Sequence, residues 1–194
     1  MRVLTVVLVL FSLGLFACSA PNTTTSTGGA VAPAASTPPA PQPEGTLLQV
    51  MRSILFPNSN IIFDTQTKDP GAPPPKTAAG AGAGASATFA NVYTGWEVVE
   101  NSAVALSEAA NLIMLPGRMC QNGKPVPIDR DDFKKFAQGL REAGRASLKA
   151  AQSKSQDAMV EVSGTVADAC AACHEVYRDI GAAGGPERCS IPKS

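Results

Sequence analysis

Two cysteines and the single histidine of the chain lie together in the segment Cys170-Ala-Ala-Cys173-His174. In a helix, Cys173 and His174 follow Cys170 by three and four residues, so the three side chains leave one face of one turn. Two thiols placed in this way can form thioether bonds to the vinyl groups of a porphyrin, while the imidazole binds its iron. The C-x-x-C-H spacing therefore predicts covalent attachment of one haem c.

Two other chemistries use a C-x-x-C pair. A structural zinc site needs four ligands, but the chain has one histidine and no second close pair of cysteines. A redox dithiol lies at the start of a helix, where the helix dipole lowers the thiol pKa. Here a long helical pattern precedes the pair, so the sequence favours haem over both alternatives.

The composition limits the remaining functions. The chain has 194 residues, of which 44% are hydrophobic, enough for one domain with a core. Sixteen basic and sixteen acidic residues balance, so no basic surplus is present to bind nucleic acid. We find no Ser-His-Asp set, paired carboxylates or phosphate-binding loop, and we predict that the protein is not an enzyme.

The N-terminus has the pattern of an export signal over residues 1–17, with Arg2 before an apolar run. The segment Leu-Phe-Ala-Cys18 resembles a bacterial lipobox, which predicts a lipid anchor on Cys18. The alternative is ordinary cleavage after Ala20, although Pro21 directly after the cut disfavours it. Either way we expect a periplasmic protein, in the compartment where disulfides persist.

Residues 18–45 are rich in proline, alanine and threonine and carry little charge. Such a segment cannot bury enough surface to offset its ordering entropy, so it predicts a disordered tether. The folded, haem-binding domain is then expected over residues 46–194.

Four amphipathic helices are predicted in this domain. The first begins near Thr46, and Pro57 should stop or kink it around Phe56, although it could resume for two turns. The second begins at a capping box on Thr94, or alternatively as early as Ser86, and ends at Pro116-Gly117.

The third helix is predicted to open with Asp129 as its N-cap, followed by Asp131 and Asp132 in the first turn. The fourth begins near Ser155 and ends at Gly181. Its apolar residues recur at steps of three and four: Met159, Val162, Val166, Ala169, Cys173, Val176 and Ile180. The expected fold is all-α, an antiparallel four-helix bundle with the haem facing its interior near the end of the last helix.

In such a bundle the start of the first helix and the ends of the second and fourth meet at one pole. Cys120 follows the second helix and Cys189 follows the fourth, so both fall at this pole. Of five cysteines, one is assigned to lipid and two to haem, which leaves this pair. We predict a Cys120–Cys189 disulfide; the alternative is two unpaired thiols.

The same pole holds Met51, which we predict as the sixth iron ligand, against the alternative that it only fills the core. Met114 is a rival ligand, Met119 a weaker one, and Met159 lies at the wrong level. Arg178 follows His174 by four residues and so lies beside the haem. There it is predicted to pair with a haem propionate or an anionic ligand, or else to act only as a cation at the helix C-terminus.

The extended motif C-x-x-C-H-x-x-Tyr-Arg, here Cys170 to Arg178, resembles the cytochrome c′ family, also called class II cytochromes c. The similarity covers roughly residues 46–181. It implies that Cys170 and Cys173 bind haem and that His174 is the proximal ligand, with Arg178 by the proximal face. Low-spin relatives use a methionine of the first helix, which maps onto Met51. The resemblance also implies a homodimer through the first two helices.

The predicted function is single-haem electron transfer with His/Met ligation, which raises the reduction potential. The alternative is a five-coordinate haem protein that binds nitric oxide or carbon monoxide, as high-spin members of the family do. A basic stripe on the third helix is either a docking surface for an acidic redox partner, whose identity the sequence does not give, or a solvated face.

Overall fold

The computed structural model describes residues 40–73, 85, 92–178 and 189. These residues form a four-helix bundle, and they contain no β-strand, only an isolated bridge between Met119 and Pro125. The elements are α1 (Leu47–Val50), a π-helical turn π1 (Met51–Leu55), α2 (Phe56–Asp64), α3 (Trp96–Ile113), α4 (Asp131–Gln152) and α5 (Gln156–Tyr177). Because α1, π1 and α2 are continuous, they make up the first helix of the bundle.

The helices pack in a ring. The first helix packs on α3, α3 on α4, α4 on α5, and α2 closes the ring against α5. At one pole the Leu47 N–H donates to the Met119 carbonyl at 2.9 Å, and at the other the Gln156 side chain donates to the Thr65 carbonyl at 2.9 Å. The start of the first helix therefore lies beside the end of α3, and its end beside the start of α5. This is the predicted antiparallel order.

The first helix does not stop at Phe56; it is distorted in π1 and continues to Asp64, so of the predicted outcomes the resumed helix is confirmed and the stop is not. The Phe56 N–H donates to the carbonyl of Met51, five residues back, and helix continues to Asp64. A proline ring clashes with the carbonyl four residues earlier in a regular α-helix, and the wider π turn directly precedes Pro57. The π turn adds one residue to the spacing of the buried positions in this helix. The buried positions are Leu47, Val50, Leu55, Ser59 and Ile62, with one step of five between Val50 and Leu55.

Two predicted caps were wrong. Gly95, rather than Thr94, is the N-cap of α3, with φ of +61° and no side-chain cap. A Cβ on Gly95 would lie 2.9 Å from the Pro70 carbonyl oxygen, so a close approach between backbones fixes this start. Arg130 replaces Asp129 as the N-cap of α4, because the helix begins one residue later than predicted.

The start of α5 agrees with the prediction. The Ser155 hydroxyl accepts a hydrogen bond from the Ala158 N–H at 3.2 Å. Along the predicted seam Met159, Val162 and Val166 are buried, and the later members through Val176 are partly buried against the core. Ile180 and Gly181 lie outside the described residues, as do the export signal, Cys18 and the tether up to residue 39. No helix among the described residues has the length and hydropathy that a membrane span requires.

The packing of α3 on α4 depends on small side chains. A Cβ added to Gly144 would lie 2.6 Å from the Ser107 backbone nitrogen, so the two backbones nearly touch there. Around this crossing the buried residues include Ala103, Ala110 and Ala143. The close approach holds α4, and through it α5, in a fixed position relative to α3.

Candidate functional site

The attachment segment forms the last turns of α5. Cys170, Cys173 and His174 lie within the helix, and all three are partly buried. Neither cysteine is in a disulfide, and both pack against the hydrophobic core. The helical conformation puts the two thiols and the imidazole on one face of one turn, which is the arrangement that covalent haem attachment needs.

The electrostatics of the thiols argue against a redox dithiol. Burial, together with smaller contributions from the nearby Cys170 and Asp132, raises the pKa of Cys173 to about 12. Burial also raises the pKa of Cys170, which the positive charge of Arg178 partly offsets. A redox-active pair needs a lowered pKa, because the thiolate is the reactive form.

Zinc binding also lacks support. Among the residues that the structure describes, no group of three or more His, Cys, Asp and Glu side chains is arranged to hold a metal ion. The half-buried, apolar setting of the two thiols instead suits attachment of a flat hydrophobic macrocycle. The residues present therefore fit haem c, with Cys170 and Cys173 as its thioether positions and His174 as the iron ligand.

The disulfide closes the pole next to this turn. Cys120 and Cys189 are bonded, with their Cα atoms 4.9 Å apart, and both are buried. The Cys189 N–H donates to the Tyr177 carbonyl at 2.9 Å, and its carbonyl accepts from the Gln121 N–H at 3.1 Å. Cys189 is thus held both at the end of α5 and at the loop after α3, which is the pairing expected from the shared pole.

The candidate sixth ligands differ in their surroundings. Met51 opens the π turn and is partly buried against the core. Met114 is the C-cap of α3, Met119 is 39% exposed, and Met159 is fully buried one turn into α5, far from His174 along the helix. Met51 lies one turn from the start of the first helix, and His174 one turn from the end of α5. These two side chains are therefore at a similar level of the bundle.

Arg178 is the C-cap of α5, and its backbone N–H donates to the His174 carbonyl at 2.9 Å. Its guanidinium lowers the pKa of Cys170, which shows that the positive charge lies near that thiol. The structure thus brings Arg178 to the attachment turn. Its pairing with a haem propionate stays a prediction.

A family model described as Cytochrome C′ matches residues 126–178. The match contains all of α4 and α5, including the attachment turn and Arg178. The segment that carries the attachment turn is thus similar to the cytochrome c′ family. This similarity supports covalently bound haem c, so this is a c-type haem protein. No curated protein and no solved structure matches the chain.

The family match begins after the first helix and α3. Met51 and Met114 lie outside it, whereas the two thioether cysteines and His174 lie inside. The family assignment therefore bears on the haem attachment. It does not bear on the sixth ligand.

The cytochrome site also includes a polar network that sequence reasoning missed. Asp132, in the first turn of α4, accepts hydrogen bonds from the Arg130 guanidinium at 3.0 and 2.9 Å and from the Tyr177 hydroxyl at 3.0 Å. The Arg130 Nε also donates to the Tyr177 hydroxyl oxygen at 3.0 Å. The available signal was weak: Tyr177 follows His174 by three residues, so it shares a helix face with the ligand.

This network predicts a pH dependence of stability. Hydrogen bonds from Arg130, Tyr177 and the Phe133 N–H lower the pKa of Asp132 to about 2. An unfolded aspartate titrates at about 3.9, so the stabilisation is complete above that pH and is lost as the pH falls towards 2. We expect the unfolding free energy of the native cytochrome to fall between about pH 4 and pH 2. In the Asp132→Asn variant, the contribution of Asp132 to this fall in unfolding free energy should be absent.

Denaturant unfolding over this pH range measures the effect, and Asp131 provides the control. It lies in the same first turn, but its side chain is fully exposed and forms an ion pair with Lys134 at 3.5 Å. Asp131→Asn should keep the wild-type pH dependence. Equal slopes for Asp132→Asn and wild type would contradict the role of the network.

Proposed function

We propose that this cytochrome transfers single electrons through one haem c whose iron is bound by His174 and Met51. The observation that carries the proposal is the uneven packing of the first helix on α5. Its second half, α2, packs against both α3 and α5, whereas α1 and π1 pack mainly against α3. The first helix therefore contacts α5 chiefly through α2 and not at Met51, and a porphyrin bound by His174 would lie beside π1.

A methionine opposite the histidine suits electron transfer. The iron then keeps six ligands in both oxidation states, so little rearrangement accompanies each transfer. Methionine ligation also raises the reduction potential. The π turn supports the assignment, because such turns are frequent at functional sites and this one begins at Met51.

Gas binding is the competing function. The cytochrome c′ family is known for it, and it requires an iron without a sixth protein ligand. In that case Met51 would only fill the core, as partly buried methionines often do.

Absorption spectra separate the two functions. We expect a low-spin ferric spectrum with a methionine-to-iron charge-transfer band, which Met51→Leu abolishes while lowering the reduction potential. The matched control is Met114→Leu, a partly buried methionine at the end of α3, which should keep the band. A high-spin wild-type spectrum that shifts on addition of nitric oxide would overturn electron transfer with His/Met ligation.

We further propose that the protein is exported and held at a membrane by a lipid on Cys18. The lipobox-like segment supports this. The mass of the mature N-terminal peptide and partition into detergent measure it. Cys18→Ser should release the protein into the soluble periplasmic fraction, and a soluble wild type that begins after Ala20 would contradict it.

A further inference from the structure

Tyr177 connects the haem-bearing end of α5 to the start of α4. Its hydroxyl donates to Asp132 Oδ1 at 3.0 Å and accepts from Arg130 Nε at 3.0 Å. These partners lie 45 and 47 residues earlier in the chain. Because these partners are distant in sequence, the contacts are tertiary. They join the end of the haem-attachment turn to the start of α4.

The ring of Tyr177 is buried and packed against two other aromatic rings. The residue is 3% exposed. It contacts Phe133 and Phe136 edge to face, with ring centroids 5.3 and 6.2 Å apart. Such aromatic pairs have a preferred geometry. The contacts therefore fix the orientation of the Tyr177 ring and, with it, the position of the hydroxyl. The Tyr177 carbonyl also accepts from the N–H of disulfide-bonded Cys189.

The network lies within electrostatic reach of the attachment turn. Tyr177 follows Cys173 by four residues and His174 by three, so the three share one face of α5. The Asp132 carboxylate accepts a hydrogen bond from the Tyr177 hydroxyl at 3.0 Å, so it lies beside this face of α5. Since Asp132 stays ionised at neutral pH, a fixed negative charge is held beside the turn that carries the haem.

We infer that Tyr177 is a positioning residue for the haem, which fixes the attachment turn against α4 and holds the Asp132 carboxylate at a set place beside it. The inference rests on haem attachment at Cys170 and Cys173 and is independent of whether Met51 binds the iron. The carboxylate is the charge that acts on the iron. The tyrosine hydroxyl and Arg130 orient that charge and partly neutralise it.

The sign of the effect follows from Coulomb's law. Reduction of the ferric iron adds one electron, and a nearby negative charge opposes it. Removing the charge should favour reduction. Removing only the tyrosine hydroxyl leaves the charge in place with one donor fewer, so reduction should become less favourable.

Three single variants of the haem-loaded cytochrome test this in a redox titration. For Asp132→Asn we expect the equilibrium constant for reduction to rise about tenfold, equal to about 59 mV for one electron. For Tyr177→Phe, which keeps the ring packing, we expect it to fall about threefold. The control Asp131→Asn removes a fully exposed charge from the same helical turn and should change the constant by less than about 1.5-fold.

The electron paramagnetic resonance spectrum of the ferric protein is the second readout. Tyr177→Phe should broaden or shift the iron signal, because the histidine-bearing turn loses its hydrogen bonds to Asp132 and Arg130. Shifts of opposite sign for Asp132→Asn and Tyr177→Phe support the inference. Should Tyr177→Phe not fold, Asp132→Asn tests the same network from α4.

The inference is overturned if folded Asp132→Asn and Tyr177→Phe match the control in reduction constant and iron signal, even with lower melting temperatures. The network would then serve stability alone. A wild-type protein that carries no haem is a different result, since it contradicts the haem assignment itself. A five-coordinate wild type contradicts only Met51 ligation and leaves these shifts to be measured.

Discussion

Replacing Cys120 and Cys189 with alanine should lower the free energy of unfolding by about 4 kcal/mol. The two residues are 69 positions apart, so the bond closes a loop that contains both α4 and α5. Most of the stabilisation is expected to come from the lost entropy of the unfolded chain, which grows with loop length. In a domain of this size the loss corresponds to a melting temperature lower by about 8–16 °C.

Urea unfolding of the haem-loaded protein measures the loss, and reduction provides the control. A thiol reductant should destabilise the wild type by about the same amount and leave the double alanine variant unchanged. A loss below about 1 kcal/mol would contradict the prediction, because a chain already restricted at this pole gains little from the bond. Since Cys189 is hydrogen-bonded to Tyr177, amide exchange at the end of α5 should also become faster in the variant.

Substituting Gly144 with alanine should lower the unfolding free energy by about 2 kcal/mol. The new Cβ would lie 2.6 Å from the Ser107 nitrogen and 2.9 Å from its Cα, both backbone atoms that cannot rotate away. Overpacking costs up to about 3 kcal/mol, and the upper value is expected here because α3 and α4 have to separate. The better helix propensity of alanine, about 1 kcal/mol, offsets only part of this cost.

Gly139 is the matched control in the same helix. A Cβ there meets no atom within 4 Å, so Gly139→Ala should stabilise the protein by about 1 kcal/mol. Thermal or denaturant unfolding compares the two variants. If both glycine substitutions change stability in the same direction, the prediction is contradicted. The close contact between α3 and α4 would then not explain the glycine at position 144.

The attachment turn could be predicted from sequence because its chemistry is local. Cys170, Cys173 and His174 are separated by fixed helical steps, so their common face follows once the segment is helical. The seam of α5 and the bundle class follow similarly from apolar residues at regular spacing. Prediction of the disulfide required one further step. Cys120 and Cys189 had to be recognised as following two helices that end at the same pole of the bundle.

The helix starts show where local rules fail. Thr94 has the sequence of a capping box, yet α3 begins after Gly95, since the backbone there approaches Pro70. Pro57 indicates a break, yet the π turn before it lets the helix continue. In both places a rule about neighbouring residues is overridden by packing against other parts of the chain or by an uncommon helical geometry.

By itself the sequence determined which residues can hold a haem, that they share one turn, and that four helices surround them. Only the tertiary structure decided that Tyr177 joins this turn to Asp132 and Arg130, and that the first helix packs on α5 through α2. The reason is the range of the interactions. Helical spacing acts over three or four residues, whereas the contacts of Tyr177 connect residues more than 40 positions apart and depend on how whole helices pack.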